Sequence, residues 1–354
     1  MTTPMSLAGG PEFARLRELT ARVGKDPLLT QASTGNSSIK IGDQLWIKAS
    51  GQWMAAAERQ NIFVRLSLPL LKERLRQGIN PAHDTRNASI ETAMHVTIPH
   101  AVVIHLHSVD AIAWAVRADG PFQLQERLSG LRWQWLPYLA SGLPLARGIE
   151  EALRTRPDTE LFVLANHGIV IEAPSVAALE KLLADVQSRL KIPRLFPHPP
   201  DYSVLADISE HSSWDIPEDD DIHVLGADPT ARKIISEGIL FPCQAIFSRG
   251  CGLDAFQPVS PDACRSGGSV QFSDRPFLIL EGCGVLVSRD ISPAGMAMLS
   301  GLAQVVQRIS ASAPIRYLED VDIAAFSLDA AHHYCELAQR SSIQSEKSRR
   351  VSAG

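Results

Sequence analysis

Val102-Val-Ile-His105-Leu-His107-Ser108 is an apolar run that closes on two histidines one residue apart. Leu161-Phe-Val-Leu-Ala-Asn-His167-Gly-Ile-Val-Ile171 sets a third histidine between two further apolar runs. Runs of this length and make-up read as strands, and along a strand residues i and i+2 point the same way. His105 and His107 therefore project side by side from one rigid surface, in reach of a single cation. His167 follows a second strand and precedes a glycine. Three protein nitrogens and an open position are what separate a catalytic zinc site from a closed structural one.

Outward from these strands, the pattern alternates. Pro11 to Val23 carries Phe13, Leu16, Leu19 and Val23 at helical spacing and predicts an opening helix. Ser38 to Lys48 alternates around Gly42-Asp43, which predicts a hairpin. Ala88 to Val96 and Ile149 to Arg154 read as short helices, and Val176 to Leu190 as a long one. Strands and helices in alternation argue for α/β layers rather than an all-α or all-β fold.

Composition sets the outer bounds. At 354 residues the chain exceeds one average domain. A hydrophobic share of 45% with 21% charged residues belongs to the ordinary globular class. A formal net charge of −5 and no basic stripe give nucleic acid no footing as a partner. No apolar run approaches the roughly 18 residues that a membrane span needs. Met1 to Gly10 lacks a basic stretch followed by an apolar one, so the expected location is cytoplasmic. All five cysteines (Cys243, Cys251, Cys264, Cys283 and Cys335) lie in the second half, and none forms a Cys-x-x-Cys pair. They are expected as free thiols, leaving a cation to imidazole and carboxylate.

Between Ile192 and Asp221, Pro193, Pro197, Pro199, Pro200 and Pro217 interrupt the pattern, and an acidic run Glu218-Asp-Asp-Asp221 closes it. The expected organisation is a metal-binding domain over 1–191, a Pro/acid-rich linker over 192–221, a second domain over 222–339 and a frayed tail over 340–354. The second domain echoes the first. Phe277-Leu-Ile-Leu-Glu-Gly-Cys283-Gly-Val-Leu-Val287 overlays on the His167 segment with one residue of slack, and a helix start with paired Ser and Pro follows each. A weaker echo sets Phe241-Pro-Cys-Gln-Ala-Ile-Phe247 against Ile98-Pro-His-Ala-Val-Val-Ile104. Both second copies lack the histidines, which predicts a degenerate duplication whose first half does the chemistry.

Upstream of the histidine pair, Ser89-Ile-Glu91-Thr-Ala-Met-His95 places Glu91 and His95 on one face of the expected helix. A carboxylate beside a metal site but outside its ligands is the usual arrangement for a general acid/base. Gly35-Asn36-Ser-Ser38 and Ser50-Gly51 have the small residues and free N–H groups that let an anion approach, and they are also common turn sequences. Tyr138, in Leu136-Pro-Tyr-Leu139, reads equally as a half-buried core tyrosine. His95 packs near the site, where it can support a ligand. No defensible partner spacing links His83, His100, His198, His211, His223, His332 or His333.

The order Gly-Asn-Ser, Ser-Gly, Ser-x-Glu-x-x-x-His, His-x-His and Asn-His-Gly resembles the class II aldolase/adducin family. Val23-Gly-Lys-Asp-Pro-Leu-Leu29, Leu45-Trp-Ile-Lys-Ala-Ser-Gly51 and Ser89-Ile-Glu-Thr-Ala-Met-His95 are similar to the aldolase part of its long, rhamnulose-phosphate-aldolase-like members. The resemblance covers Ala21 to Leu190 and continues weakly over Phe277 to Glu336. It implies a three-layer α/β/α fold around a mostly antiparallel sheet, followed by a degenerate aldolase-like second half. It implies a divalent cation, Zn2+ with Mn2+, Fe2+ or Co2+ as alternatives, on His105, His107 and His167, and Glu91 as acid/base. Asn36, Ser50, Gly51 and Ser89 match positions that hold a substrate phosphate, and Tyr138 falls near a tyrosine that reaches substrate. The implied activity is lyase cleavage of a ketose or ketose phosphate through an enediolate, in a homotetramer. Sugar-phosphate 4-epimerase, decarboxylase or dehydratase chemistry on the same site, or a non-catalytic adducin-like assembly module, are the alternatives. Two departures touch the phosphate: Ser89-Ile90-Glu91 replaces a frequent Ser-Ser-Glu, and Ser33-Thr-Gly-Asn36 replaces a Gly-Gly-Gly-Asn.

Overall fold

The computed structural model describes residues 10–82, 87–195, 198–248, 251–265 and 272–324. His83, His332, His333, Cys335 and the tail over 340–354 lie outside the described residues.

Seven strands form the main sheet: β1 (Asn36–Ile41), β2 (Gln44–Lys48), β3 (Phe63–Ser67), β4 (Val102–Leu106), β5 (Trp133–Leu136), β6 (Leu161–Leu164) and β7 (Gly168–Ala173). Their order is β3-β2-β1-β4-β7-β6-β5. Each neighbouring pair is antiparallel except β5 with β6. The expected hairpin forms around Gly42-Asp43, with Ile41 facing Gln44 across the turn.

Strand alternation divides the side chains between two cores. Val102, Ile104 and Leu106 point to one face, with Leu161, Val163, Ile169 and Ile171, and pack against the helices Gly10–Gly24 and Val176–Leu190. Val103, Phe162, Leu164 and Val170 point to the other, where the helices Thr92–Thr97 and Leu143–Thr155 supply Met94, Leu145 and Ile149. Helices on both faces of a mostly antiparallel sheet give three α/β/α layers. Both long helices form where their apolar spacing places them. The short helix expected over Ile149 to Arg154 runs instead from Leu143 with Pro144 in its first turn, a position where the missing N–H costs nothing.

Two expectations are corrected. The helix expected over Ala88 to Val96 begins only at Thr92. Ser89 competes for the backbone ahead of it: its hydroxyl accepts from Glu91 N at 3.2 Å, and its carbonyl accepts from Thr92 Oγ1 at 2.6 Å. The weaker echo also fails, because Pro242–Ile246 is a helix whereas the segment set against it becomes β4. Pro242 at the first helical position, after the extended Phe241, starts that helix.

Within residues 192–221 lie the helix Tyr202–Glu210 and strand β8 (Trp214–Asp215). Strands β9 (Phe277–Leu280) and β10 (Gly284–Ser288) complete a second sheet in the order β8-β10-β9. One core is built from both halves. Val109, Ile112, Ala113 and Val116, just after the His107 strand, pack with Ile234, Phe241, Cys243, Val285 and Leu302. Backbone bonds stitch the same seam, Arg316 N to Val116 O at 2.7 Å and Ala118 N to Pro314 O at 2.8 Å. No helix among the described residues is long and apolar enough to cross a membrane.

Candidate metal centre

His105 is the penultimate residue of β4 and His107 follows its end, so both imidazoles leave the sheet on the face of Val103. His167 closes the turn between β6 and β7. There Asn166 takes a positive φ of 54°, and Gly168 runs so close to β4 that a Cβ would lie 2.3 Å from the Leu106 carbonyl oxygen. Only glycine fits that position, and its fit brings His167 over the end of β4. The three ring ligand atoms lie within 4.8 Å of one another and all three residues are buried.

The donors suit a divalent cation. His107 Nε2 and His105 Nε2 are 3.1 Å apart, close to the separation of two nitrogens that each bind one ion at about 2.0–2.1 Å. His105 Nδ1 lies 2.9 Å from the Ile169 carbonyl, which accepts its hydrogen and leaves Nε2 free to bind. Burial, then the neighbouring His105 charge, holds the His167 pKa down at about 4. Burial does the same to His107, with His105, His167 and Lys48 adding to the shift. These imidazoles are neutral at neutral pH, the form a metal needs.

Glu91 sits at the start of the Thr92–Thr97 helix rather than on its face, and its carboxylate turns to the histidines. Its oxygens lie 3.5 Å from His105 Nε2 and 3.4 Å from His167 Nε2. Burial would raise its pKa, but His105, His167 and the Asn36 hydrogen bond together hold it well below the usual carboxylate range. Asn36 Nδ2 donates to Glu91 Oε2 at 2.7 Å and to Ser89 Oγ at 3.2 Å, and Ser141 Oγ donates to Glu91 Oε1 at 3.2 Å. Register explains the first contact, since Asn36 on β1 pairs directly with His105 on β4.

Behind Asn36 the network continues. Asn36 Oδ1 accepts from His95 Nε2, and His95 Nδ1 is 2.7 Å from Ser38 Oγ. His95 is buried, and that burial lowers its pKa to about 3, so Nδ1 accepts from the Ser38 hydroxyl. Ser50 and Gly51 stand on the turn after β2. A bridge between Ala49 and Ala88, and a 2.8 Å bond from Ser50 N to Asn87 O, bring that turn against the Ser89 segment. Tyr138 is half-buried, and burial, followed by the Asp322 and Cys243 charges, pushes its pKa up.

Sequence reasoning gave no role to Lys48, Ser141 or Cys243. Lys48 Nζ is buried and donates to Ser33 O at 2.9 Å and Gln52 O at 2.6 Å. Burial drops its pKa to about 7, opposed by the Glu91 charge. A lone cation closing an apolar strand at a Ser-Gly turn was the available signal. Cys243 Sγ lies 3.6 Å from His107 Nδ1 although 136 residues separate them, and nothing local in the sequence marks that contact.

The family model for the class II aldolase and adducin N-terminal domain matches residues 15–192, about half of the chain. A Bacillus subtilis (strain 168) protein named as an uncharacterized oxidoreductase, YuxG, is 29% identical over 170 residues, 42% of this chain. The chain spans 24% of that protein's length. Among solved structures, the N-terminal class II aldolase domain of a conserved Thermoplasma acidophilum protein aligns at 18% identity and a TM-score of 0.43, covering 54% of this chain and 97% of that one. The l-fuculose-1-phosphate aldolase of Thermus thermophilus aligns at 20% identity and a TM-score of 0.37, covering 50% and 91%. With its residues 15–192 matched, this chain belongs to the class II aldolase and adducin family.

Proposed function

We propose that the chain is a divalent-metal-dependent lyase that cleaves a ketose or ketose phosphate through an enediolate. One observation carries the reading: three buried imidazoles converge while a buried carboxylate, Glu91, faces two of them from 3.4–3.5 Å outside the cluster. A cation on His105, His107 and His167, with zinc as first choice, supplies Lewis acidity to a substrate's carbonyl and neighbouring hydroxyl oxygens.

The chain's own groups do the rest. Glu91 is ionised at neutral pH, so it accepts the proton of the hydroxyl whose carbon leaves as the aldehyde and returns it to the enediolate carbon of the other fragment. Asn36 and Ser141 hold the carboxylate in place. Ser50, Gly51 and Ser89 take the phosphate or hydroxyl end of the substrate, with Lys48 as a cation nearby. Tyr138 keeps its proton and donates a hydrogen bond to the oxygen of the departing aldehyde. The active assembly is a cytoplasmic homotetramer, residues 1–191 forming its metal-binding domain, and its partner is a small sugar or sugar phosphate.

Retro-aldol cleavage by the purified full chain, on a panel of phosphorylated and free ketoses with aldehyde detection and metal analysis, tests this. Near one equivalent of metal and aldehyde release are expected. Glu91→Gln keeps its metal and slows release on the order of 10²–10⁴-fold. A metal content far below one equivalent overturns the reading, and full activity in Glu91→Gln overturns the role of Glu91. Turnover without aldehyde points to epimerase, decarboxylase or dehydratase chemistry on the same residues.

A further inference from the structure

We propose that Cys243 is a positioning residue for the metal ligand His107, so that the second half of the chain completes the metal centre. The inference rests on the three-histidine reading above and concerns who orients its ligands. A metal-binding imidazole presents one nitrogen to the ion and needs an acceptor for the N–H on the other, which fixes tautomer and ring rotation. His105 finds that acceptor on the sheet, at the Ile169 carbonyl. His107 lies past the end of β4, where the ladder no longer supplies one. With His107 Nε2 turned to His105 Nε2 at 3.1 Å, its Nδ1 faces Cys243 Sγ at 3.6 Å, within reach of an N–H···S hydrogen bond.

The sulfur is held as firmly as a ligand support requires. It sits on the helix Pro242–Ile246, in the core that joins Val109 and Ile112 to the second half. Leu240 N donates to Gln244 Oε1 at 2.8 Å, and Phe247 N to Cys243 O at 3.1 Å. The same segment reaches the third ligand's neighbour, because Asn166 Nδ2 donates to Leu240 O at 2.8 Å and to Arg316 O at 2.7 Å. His107 and the turn that carries His167 are thus both braced by residues more than 70 positions downstream.

A cysteine also fills core space as a small apolar side chain, and the test separates the two roles. Zinc affinity of the full chain, by chelator competition, is compared for the parent, Cys243→Ser and Cys243→Val. Serine keeps an acceptor and valine keeps the bulk without one. Valine is expected to weaken zinc about 10–100-fold, as losing an outer hydrogen-bond partner does, while the metal-free melting temperature holds and serine stays near the parent. Equal affinity in the valine variant overturns the proposal while leaving the metal site standing. No zinc binding by the parent overturns both. Should valine fail to fold, the zinc-loaded parent labelled with 15N-histidine answers: His107 must carry its proton on Nδ1, and a proton on Nε2 overturns the proposal.

Discussion

The hairpin β6–β7 turns through Ala165-Asn166-His167, and the hairpin β9–β10 turns through Glu281-Gly282-Cys283. In each, the middle residue has a positive φ, 54° at Asn166 and 74° at Gly282, and a glycine of large positive φ follows, 156° at Gly168 and 149° at Gly284. The registers agree, Leu164 opposite Gly168 and Leu280 opposite Gly284. Each hairpin runs on to a helix capped by a serine hydroxyl, Ser175 or Ser292. One backbone device is used twice. What differs is the strand alongside. β7 lies beside β4, whose last residues include His105 and which His107 directly follows, whereas β10 lies beside the two residues of β8. His167 therefore meets two imidazoles, while Cys283 Sγ turns back to the Glu281 carbonyl at 3.5 Å. The hairpin offers one side chain just before its glycine, and the neighbouring strand decides whether that side chain finds chemistry.

Removing the offered side chain from each hairpin gives the largest contrast. His167→Ala deletes one of the three proposed ligands, and its zinc affinity is expected to fall by more than the roughly 100-fold that loss of an outer partner costs. Cys283→Ala deletes an atom held on the Glu281 carbonyl and is expected to leave zinc affinity at the parent value. Chelator competition on both variants measures this, and similar affinities would dissolve the distinction between the hairpins.

Acid sensitivity comes next in size. His95, buried behind Asn36, has its folded-state pKa lowered from 6.5 to about 3 by burial. The unfolded chain then takes up that proton first, so stability is intact above about pH 6.5 and is lost as pH falls toward 3. His223, behind Gly284, is lowered by burial as well, against the Asp220 and Asp219 charges, and its Nδ1 accepts from Val285 N at 3.2 Å. Urea midpoints of the metal-free protein between pH 7 and 4 are expected to fall less steeply in His95→Gln than in the parent. An unchanged slope would mean that burial does not hold His95 neutral in the folded chain.

The sheet and the convergence of the three histidines were legible because both are local patterns: period-two apolar runs, and imidazoles placed next to strand ends. Glu91 was legible by composition but not by conformation, since Ser89 delays the helix and moves Glu91 from a helix face to its entrance. The family order matches Asn36 to a phosphate-holding position, and the register that sets its amide on Glu91 and His95 is not readable from that order. Cys243 was out of reach. Its contact with His107 depends on how two sequence-distant cores merge, and no spacing rule encodes that. The Phe241 to Phe247 echo failed for a related reason, because a proline after an extended residue starts a helix as readily as it ends a strand.

The smallest effect tests the shared turn itself. At Gly282 a Cβ would meet nothing within 4 Å, and the conformation is left-handed. Gly282→Asn should therefore cost only a few tenths of a kcal/mol, since Asn tolerates this region through its own short polar side chain. Asn166→Gly keeps the backbone easy but deletes the amide that donates to Leu240 O and Arg316 O. One buried and one partly buried hydrogen bond, at about 1 kcal/mol each, set the expected loss near 2 kcal/mol. It is offset slightly because removing the amide also removes Asn166 Oδ1, a buried atom with no hydrogen-bond partner among the described residues. Thermal melts of the two variants measure the difference. If Asn166→Gly proves as mild as Gly282→Asn, the asparagine is there for the turn alone, and the bracing of His167 by the second half must come from packing.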